Sequence, residues 1–329
     1  MGNLGPMVDL SIDLAGMRLR NPLLSASGTF GHGLEMNGFV APSALGAWVS
    51  KTVTLEPRHG NPAPRICETE AGFLNSIGLE NRGVGHYERE VLPTLAGADT
   101  LIITNIGGKQ LEDFAAMAER LGERPEIHAF EVNLSCPNVQ GAKLAYSTDP
   151  DLAERTIAAV RKQTDKPIFA KLSPNVARIG EIAKAVEAGG ADGITAVNTL
   201  LGMSVDWRSR RPGLALVQGG YSGTGIKPVA LRCAWECARS VSIPVIGCGG
   251  IATADDVLEF LVAGCTAVQV GTASFSDPGL LGDLGAQLEA LLESAGIPRL
   301  SDLIGTIRDG REAAPPDASP NPAAQVARS

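Results

Sequence analysis

The residues best suited to chemistry lie in Glu131-Val-Asn-Leu-Ser-Cys-Pro-Asn138. An apolar run with strand character ends at Asn133, and Cys136 follows in the loop beyond it. Pro137 restricts the backbone of the residue before it, so the thiol is carried on a stiffened turn. A thiol, with an ordinary pKa of about 8.5, needs only modest tuning to act as a general base near neutrality. An ordinary buried cysteine would have the same sequence, so position alone leaves both readings open. Two further segments carry amides: Leu74-Asn-Ser-Ile-Gly-Leu-Glu-Asn-Arg-Gly83, and Val197-Asn-Thr-Leu200 at the end of another apolar run. Asn75, Asn133 and Asn198 are neutral groups that both donate and accept, suited to a flat ring with alternating N–H and C=O groups. Asn and Gly also serve plain turns, so any one of these residues says little and the three together say more.

Lys51, after Ala47-Trp-Val-Ser50, and Lys171, inside Pro167-Ile-Phe-Ala-Lys-Leu172, sit in strand patterns. A buried ammonium is costly, so each should face an anion or a polar cavity unless it snorkels to solvent. Gly247-Cys-Gly-Gly-Ile251 and Val270-Gly-Thr-Ala273 each follow an apolar strand. In that order and place they match the last two strand–helix loops of a barrel, where backbone N–H groups hold a phosphate. His32, His59, His86 and His128 have no metal-ligand spacing, and packing or surface roles suit them better.

The elements that must position these groups are short apolar runs alternating with amphipathic stretches. Strands are expected at 48–50, 101–105, 129–134, 167–172, 193–197, 245–247 and 267–270, each apolar enough to be covered on both faces. Ile179, Ile182, Ala183 and Val186 fall on one helical stripe that ends at Gly189-Gly190. Thr253 caps a helix whose buried side is Val257, Leu258 and Leu261, and Pro150 suits a first helical turn. This alternation predicts a single (β/α)8 TIM barrel over residues 1–310, with active-site loops and small β-excursions over its C-terminal mouth. A doubly wound sheet would want a G-x-G-x-x-G turn after its first strand, and the sequence has no convincing one. Residues 21–33 and 56–85, rich in Gly, Pro and Asn, read as loops or β-excursions at the mouth. Residues 311–329, rich in Ala and Pro, read as a disordered tail.

Composition narrows the class. The 329 residues are 44% apolar and 19% charged, which excludes a largely disordered chain. A net charge of −8 argues against non-specific nucleic-acid binding. Six cysteines in a chain this long do not form a disulfide scaffold. Cys233 and Cys237 lack the further ligands a metal site or an iron–sulfur cluster would need. With no apolar signal core in residues 1–20 and no run of 18 apolar residues, the expectation is a cytoplasmic protein with no membrane span.

Asn133-Leu-Ser-Cys-Pro-Asn138, Thr54-Leu-Glu-Pro-Arg58 with Gly60-Asn-Pro62, Asn75-Ser-Ile-Gly-Leu79, Lys171-Leu-Ser-Pro-Asn175, Asn198-Thr-Leu-Leu-Gly202 and Gly247-Cys-Gly-Gly-Ile251 together resemble the dihydroorotate dehydrogenase family, from about residue 8 to residue 309. The resemblance implies an FMN-containing barrel that oxidises (S)-dihydroorotate to orotate in pyrimidine biosynthesis. Membrane-associated class 2 members use Ser as the base and carry an N-terminal helical extension. Cys136 and the missing extension resemble class 1 instead, and the motifs around residues 54, 74 and 198 look more like class 1B than class 1A. Class 1B implies a partner subunit carrying FAD and a [2Fe–2S] cluster that passes electrons to NAD+, in a heterotetramer built on a homodimer.

By position, the resemblance implies that Cys136 takes the proton from C5 of dihydroorotate while hydride leaves C6 for FMN. Lys51, Asn75, Asn133, Asn198 and Thr199 would hold substrate, with backbone contacts from Ser76, Ile77, Gly78 and Leu79. Lys171 would lie near the pyrimidine edge of the flavin. Ser27, Lys51, Thr52, Asn105, Asn133, Val197 and Gly223 would contact its ring or ribityl chain, and Gly249, Gly250, Gly271 and Thr272 its phosphate. No metal is implied. Gly223-Thr-Gly-Ile-Lys-Pro228 departs from the family, where Gly-Pro-Ala or similar precedes Ile226. The alternatives are a fumarate-using class 1A enzyme, a dihydropyrimidine dehydrogenase subunit, a flavin-free phosphate-binding isomerase or lyase, and a non-catalytic subunit.

Overall fold

The computed structural model describes residues 8–134, 145–308 and 310. Eight parallel strands close into a barrel: β1 (Leu23–Ser25), β2 (Ala47–Val49), β3 (Leu101–Ile106), β4 (Ala129–Asn133), β5 (Ile168–Leu172), β6 (Gly193–Ala196), β7 (Val245–Cys248) and β8 (Ala267–Val270). Each strand pairs with its sequence neighbours, and β8 pairs with β1 to close the ring. Helices Leu111–Leu121, Pro150–Arg161, Ile179–Ala188, Lys227–Ala238, Ala254–Val262 and Leu280–Ser294 cover the outside. This is the (β/α)8 architecture read from the sequence.

The first strand departs from that reading. Leu23–Ser25 lies inside the segment read as a mouth loop, yet all three residues are buried and form β1. Three residues flanked by Pro22 and by Gly and Thr are too short to show a periodicity; the closing pairs with β2 and β8 make them a strand. Only 3-10 turns, Leu34–Met36 and Pro42–Ala44, lie between β1 and β2.

The helix signals act as their chemistry requires. The Thr253 hydroxyl accepts from the Asp256 N–H at 3.1 Å, and the Asp256 carboxylate accepts from the N–H of Thr253 at 2.9 Å, a reciprocal capping box. The buried stripe of that helix is Ala254, Val257, Phe260 and Leu261; Leu258, expected there, is only partly buried, at the edge of the stripe. Thr253→Ala should cost about 1 kcal/mol, seen as a lower melting temperature. Asp149 caps the helix that opens at Pro150, and Gly189 closes the one that follows β5.

Two long connections, after β2 and after β6, meet over the barrel. Leu200–Met203, Gln218–Ser222, Gly72–Asn75 and Ile66–Thr69 form a four-stranded antiparallel sheet, in that order. The expected β-excursion is therefore one shared sheet. Its register sets Gly220 opposite Asn75, which carries an amide from the second loop to the mouth.

Candidate active site

The C-terminal ends of the strands open into a cavity of about 900 Å³. Barrel enzymes place their chemistry at this face. From β1 and β2 come Ser27, Lys51 and Thr52; from the strands that follow come Asn105, Asn133 and Lys171. The excursion sheet adds Asn75, Ile77, Gly78 and Leu79, and the end of β6 adds Val197, Asn198 and Thr199. Gly223, Gly249, Gly250, Gly271 and Thr272 close the far wall. Ser76, expected beside them, does not line the cavity: it is buried, and its hydroxyl accepts from Asn61 Nδ2 at 3.0 Å. Cys136 lies in 135–144 and the tail in 311–329, both outside the described residues.

Hydrogen bonds hold each of the three amides in place. Asn198 Nδ2 donates to Asn133 Oδ1 at 3.3 Å, and Asn133 Nδ2 donates to the Thr52 hydroxyl at 3.3 Å. Asn75 Nδ2 donates to the Gly220 carbonyl at 3.2 Å, and the Thr199 N–H donates to Asn198 Oδ1 at 2.7 Å. Amides held in this way present fixed donors and acceptors to a planar ring. Among the described residues Lys51 makes no ion pair, and burial lowers the pKa of its ammonium despite the opposing pull of Glu80. A half-buried cation at a cavity wall is suited to an anionic group.

Below the amides lies a layer of buried polar side chains that joins Asn105 and Lys171 to three residues that sequence reasoning left without a role, Glu131, Thr195 and Gln269. Glu131 is fully buried inside the barrel. Its Oε1 accepts from Asn105 Nδ2 at 2.6 Å and lies 3.5 Å from Lys171 Nζ. Its Oε2 accepts from the Thr195 hydroxyl at 2.8 Å and from Gln269 Nε2 at 2.5 Å. Lys171 Nζ in turn donates to Gln269 Oε1 at 3.0 Å. Burial alone would push the Lys171 ammonium down, but the Glu131 carboxylate, with a smaller contribution from Cys248, holds it above its ordinary value. The signal was present: Glu131 is a charged residue inside an apolar strand, two positions before Asn133 and so on the same face.

The glycine loops pack as tightly as the chemistry asks. Gly250, at φ +82°, lies against the start of the helix Lys227–Ala238, where a Cβ would come 2.6 Å from the backbone N of Lys227. Thr272 Oγ1 is hydrogen-bonded to Ser222 Oγ at 2.8 Å, which joins the β8 loop to the excursion sheet. The unusual Gly223-Thr-Gly-Ile226 stretch has a local reason: a side chain at Gly225 would strike the Tyr221 hydroxyl and the Ala71 side chain. Among the described residues no three His, Cys, Asp or Glu side chains are placed to hold a metal ion, and no helix is long and apolar enough to cross a membrane.

Barrel and mouth together define the class: a (β/α)8 barrel whose mouth cavity pairs an amide-lined wall with glycine loops of phosphate-site type. The sequence model of the family described as dihydroorotate dehydrogenase matches residues 9–292. The chain is 48% identical over 299 residues to the catalytic subunit of dihydroorotate dehydrogenase B (NAD(+)) from Geobacter sulfurreducens, covering 91% of this chain and 98% of that one. It is 46% identical over 296 residues to the protein of the same name from Anoxybacillus flavithermus, covering 90% and 95%. A crystal structure of dihydroorotate dehydrogenase from Eimeria tenella, in complex with ferulenol, has the same fold, with a TM-score of 0.78 at 23% identity over 92% of this chain and 90% of that one. The chain belongs to the dihydroorotate dehydrogenase family.

Proposed function

We propose that this chain is the catalytic subunit of an NAD+-linked dihydroorotate dehydrogenase, oxidising (S)-dihydroorotate to orotate in pyrimidine biosynthesis with FMN as its cofactor. The observation that carries the reading is the division of one cavity into an amide-lined wall with an uncommitted lysine, a buried cation at the floor, and glycine loops opposite. The residues fit FMN. Gly249 and Gly250 leave the β7 loop free of side chains beside a helix start, a cradle for a phosphate. Asn105 Oδ1 is buried with no partner among the described residues, as an acceptor awaiting a ring N–H would be. Ser27, Thr52, Asn105, Lys171, Val197 and Gly223 would hold the ring and ribityl chain, and Gly249, Gly250, Gly271 and Thr272 the phosphate. When bound, FMN supplies the acceptor for the hydride that leaves the substrate.

The chain's own residues do the rest. Lys51 pairs with the substrate carboxylate, while Asn75, Asn133 and Asn198 match the donors and acceptors around the ring, with Thr199 and the Ile77–Leu79 segment beside them. Cys136 takes the proton from C5, a role supported by its place just after β4 and by the family motif. Lys171 would set a fixed positive charge beside the bound flavin ring, preorganised stabilisation of the kind that lowers a barrier.

The relatives are named catalytic subunits, which supports a separate electron-transfer subunit here; FAD and a [2Fe–2S] cluster on it, and a heterotetramer built on a homodimer, extend that reading. The test is purification with whatever travels with this chain, followed by flavin and iron assay and by turnover with NAD+ and with fumarate. NAD+ reduction that needs the partner supports the reading; rapid fumarate reduction by the chain alone would favour the class 1A alternative.

Lys51→Gln should weaken orotate binding by roughly a hundredfold, the loss of a charge-assisted contact of about 1.5–3 kcal/mol. Burial lowers the Lys51 pKa, so wild-type affinity should fall as pH rises through that lowered value, when the ammonium becomes neutral. The variant should lack this pH dependence in an orotate titration.

A further inference from the structure

Five barrel strands each send one polar side chain to the layer under the cavity: Asn105 from β3, Glu131 from β4, Lys171 from β5, Thr195 from β6 and Gln269 from β8. Barrel interiors are ordinarily filled by branched apolar residues, so a charged layer at full burial needs a reason. The strand register aligns it, with Asn105 opposite Glu131 and Thr195 opposite Lys171. Glu131 is the hub. Each of its oxygens meets two partners, so the carboxylate is fully satisfied. Asn105 and Lys171 also line the cavity, whereas Glu131 itself does not.

The bond from Asn105 Nδ2 to Glu131 fixes which way the amide faces and leaves Oδ1 as a buried acceptor with no partner among the described residues. Gln269 is fixed in the same manner, its Nε2 turned to Glu131 and its Oε1 to Lys171. The ammonium of Lys171 is thereby held at the cavity floor from two sides.

We propose that Glu131 is the positioning residue of the flavin site: it orients the Asn105 amide and anchors the Lys171 ammonium, so that the bound ring meets one acceptor and one permanent cation. This rests on the FMN reading above and goes beyond it by assigning work to a residue that touches neither cofactor nor substrate. A carboxylate is needed because an amide at 131 would offer Asn105 a donor as readily as an acceptor and would leave the buried ammonium without a counter-charge. The other titratable group facing the pair among the described residues is Cys248 on β7, whose thiol burial pushes up, so it supplies no substitute anion near neutral pH.

The experiment is FMN binding to the apo-chain, followed by quenching of flavin fluorescence between about pH 6.5 and 9, a window below the ordinary lysine pKa. Wild type and Glu131→Asp, which keep the charge, should give affinities that hardly change with pH. In Glu131→Gln, burial without a counter-charge lowers the Lys171 pKa, so affinity should fall as pH rises, to about tenfold below wild type at the upper end. A purely structural role would weaken binding equally at every pH, and that result, or an unchanged affinity, overturns the proposal. If Glu131→Gln does not fold, Glu131→Gln/Lys171→Met replaces the pair with neutral groups. It should bind FMN about tenfold more weakly with no pH dependence, and wild-type affinity in this variant overturns the proposal. A wild-type chain that takes up no FMN overturns the flavin reading and this inference together; FMN bound by wild type and equally well by the variants overturns this inference alone.

Discussion

Cys136→Ser should leave a folded, yellow protein that has lost most dihydroorotate oxidation at neutral pH, by about 10²–10⁴-fold. A serine hydroxyl holds its proton far more tightly than a thiol, so an unaltered pocket would still bind substrate and cofactor while proton removal from C5 slows. Orotate affinity, assigned by the proposed site to Lys51 and the amide wall, should change little. Residual activity in the variant should climb with pH, because hydroxide or a deprotonated water then takes over the proton. Steady-state turnover, with orotate titration as the binding control, decides the matter: unchanged turnover removes Cys136 from the mechanism, and lost orotate binding would assign it to the pocket wall instead.

Lys171→Ala should act on stability and on chemistry together. Lys171 is 4% exposed and stands 3.5 Å from a carboxylate that is itself fully buried. Removing one partner of such a pair leaves an uncompensated charge and costs about 3–5 kcal/mol, far more than the net worth of the pair. The melting temperature should therefore fall sharply, and Lys171→Ala/Glu131→Gln should recover part of the loss because no charge is then stranded. On chemistry, loss of the cation proposed to lie beside the flavin ring should slow the reductive half-reaction by about 10²-fold, the scale of removing one stabilising donor. Stopped-flow reduction by dihydroorotate separates this from binding. An effect on substrate affinity alone would contradict the place given to Lys171. The pair also bears on pH: Glu131 holds the Lys171 pKa above its ordinary value, so the stability drawn from its charge is present below that value and is lost only as strongly alkaline pH passes the raised one.

How the site was legible differs from residue to residue. Lys171 stood out because a charged side chain in an apolar strand is costly and must be answered. Glu131 falls under the same rule, but the cost of a buried carboxylate does not say which strand supplies its cation. Gln269 and Thr195 gave less warning, since single neutral polar residues in strands are unremarkable until the barrel closes. Ser76 read as part of a binding loop, yet its hydroxyl accepts from Asn61, 15 positions away, a contact that spacing does not reveal.

The sequence alone determined the alternation of strands and helices, the cap at Thr253, the helix start at Pro150, the two glycine loops and the family motifs, because each rests on neighbours a few positions apart in the chain. Only the tertiary structure decided that Leu23–Ser25 is a barrel strand, that two distant connections form one sheet over the mouth, and that five strands meet in a charged layer beneath it. Those features depend on ring closure and on strand register, which bring together residues as far apart as Glu131 and Gln269. A one-residue slip of register would turn every inward group outward, and no local pattern within a three- to six-residue strand states which register the closed barrel selects.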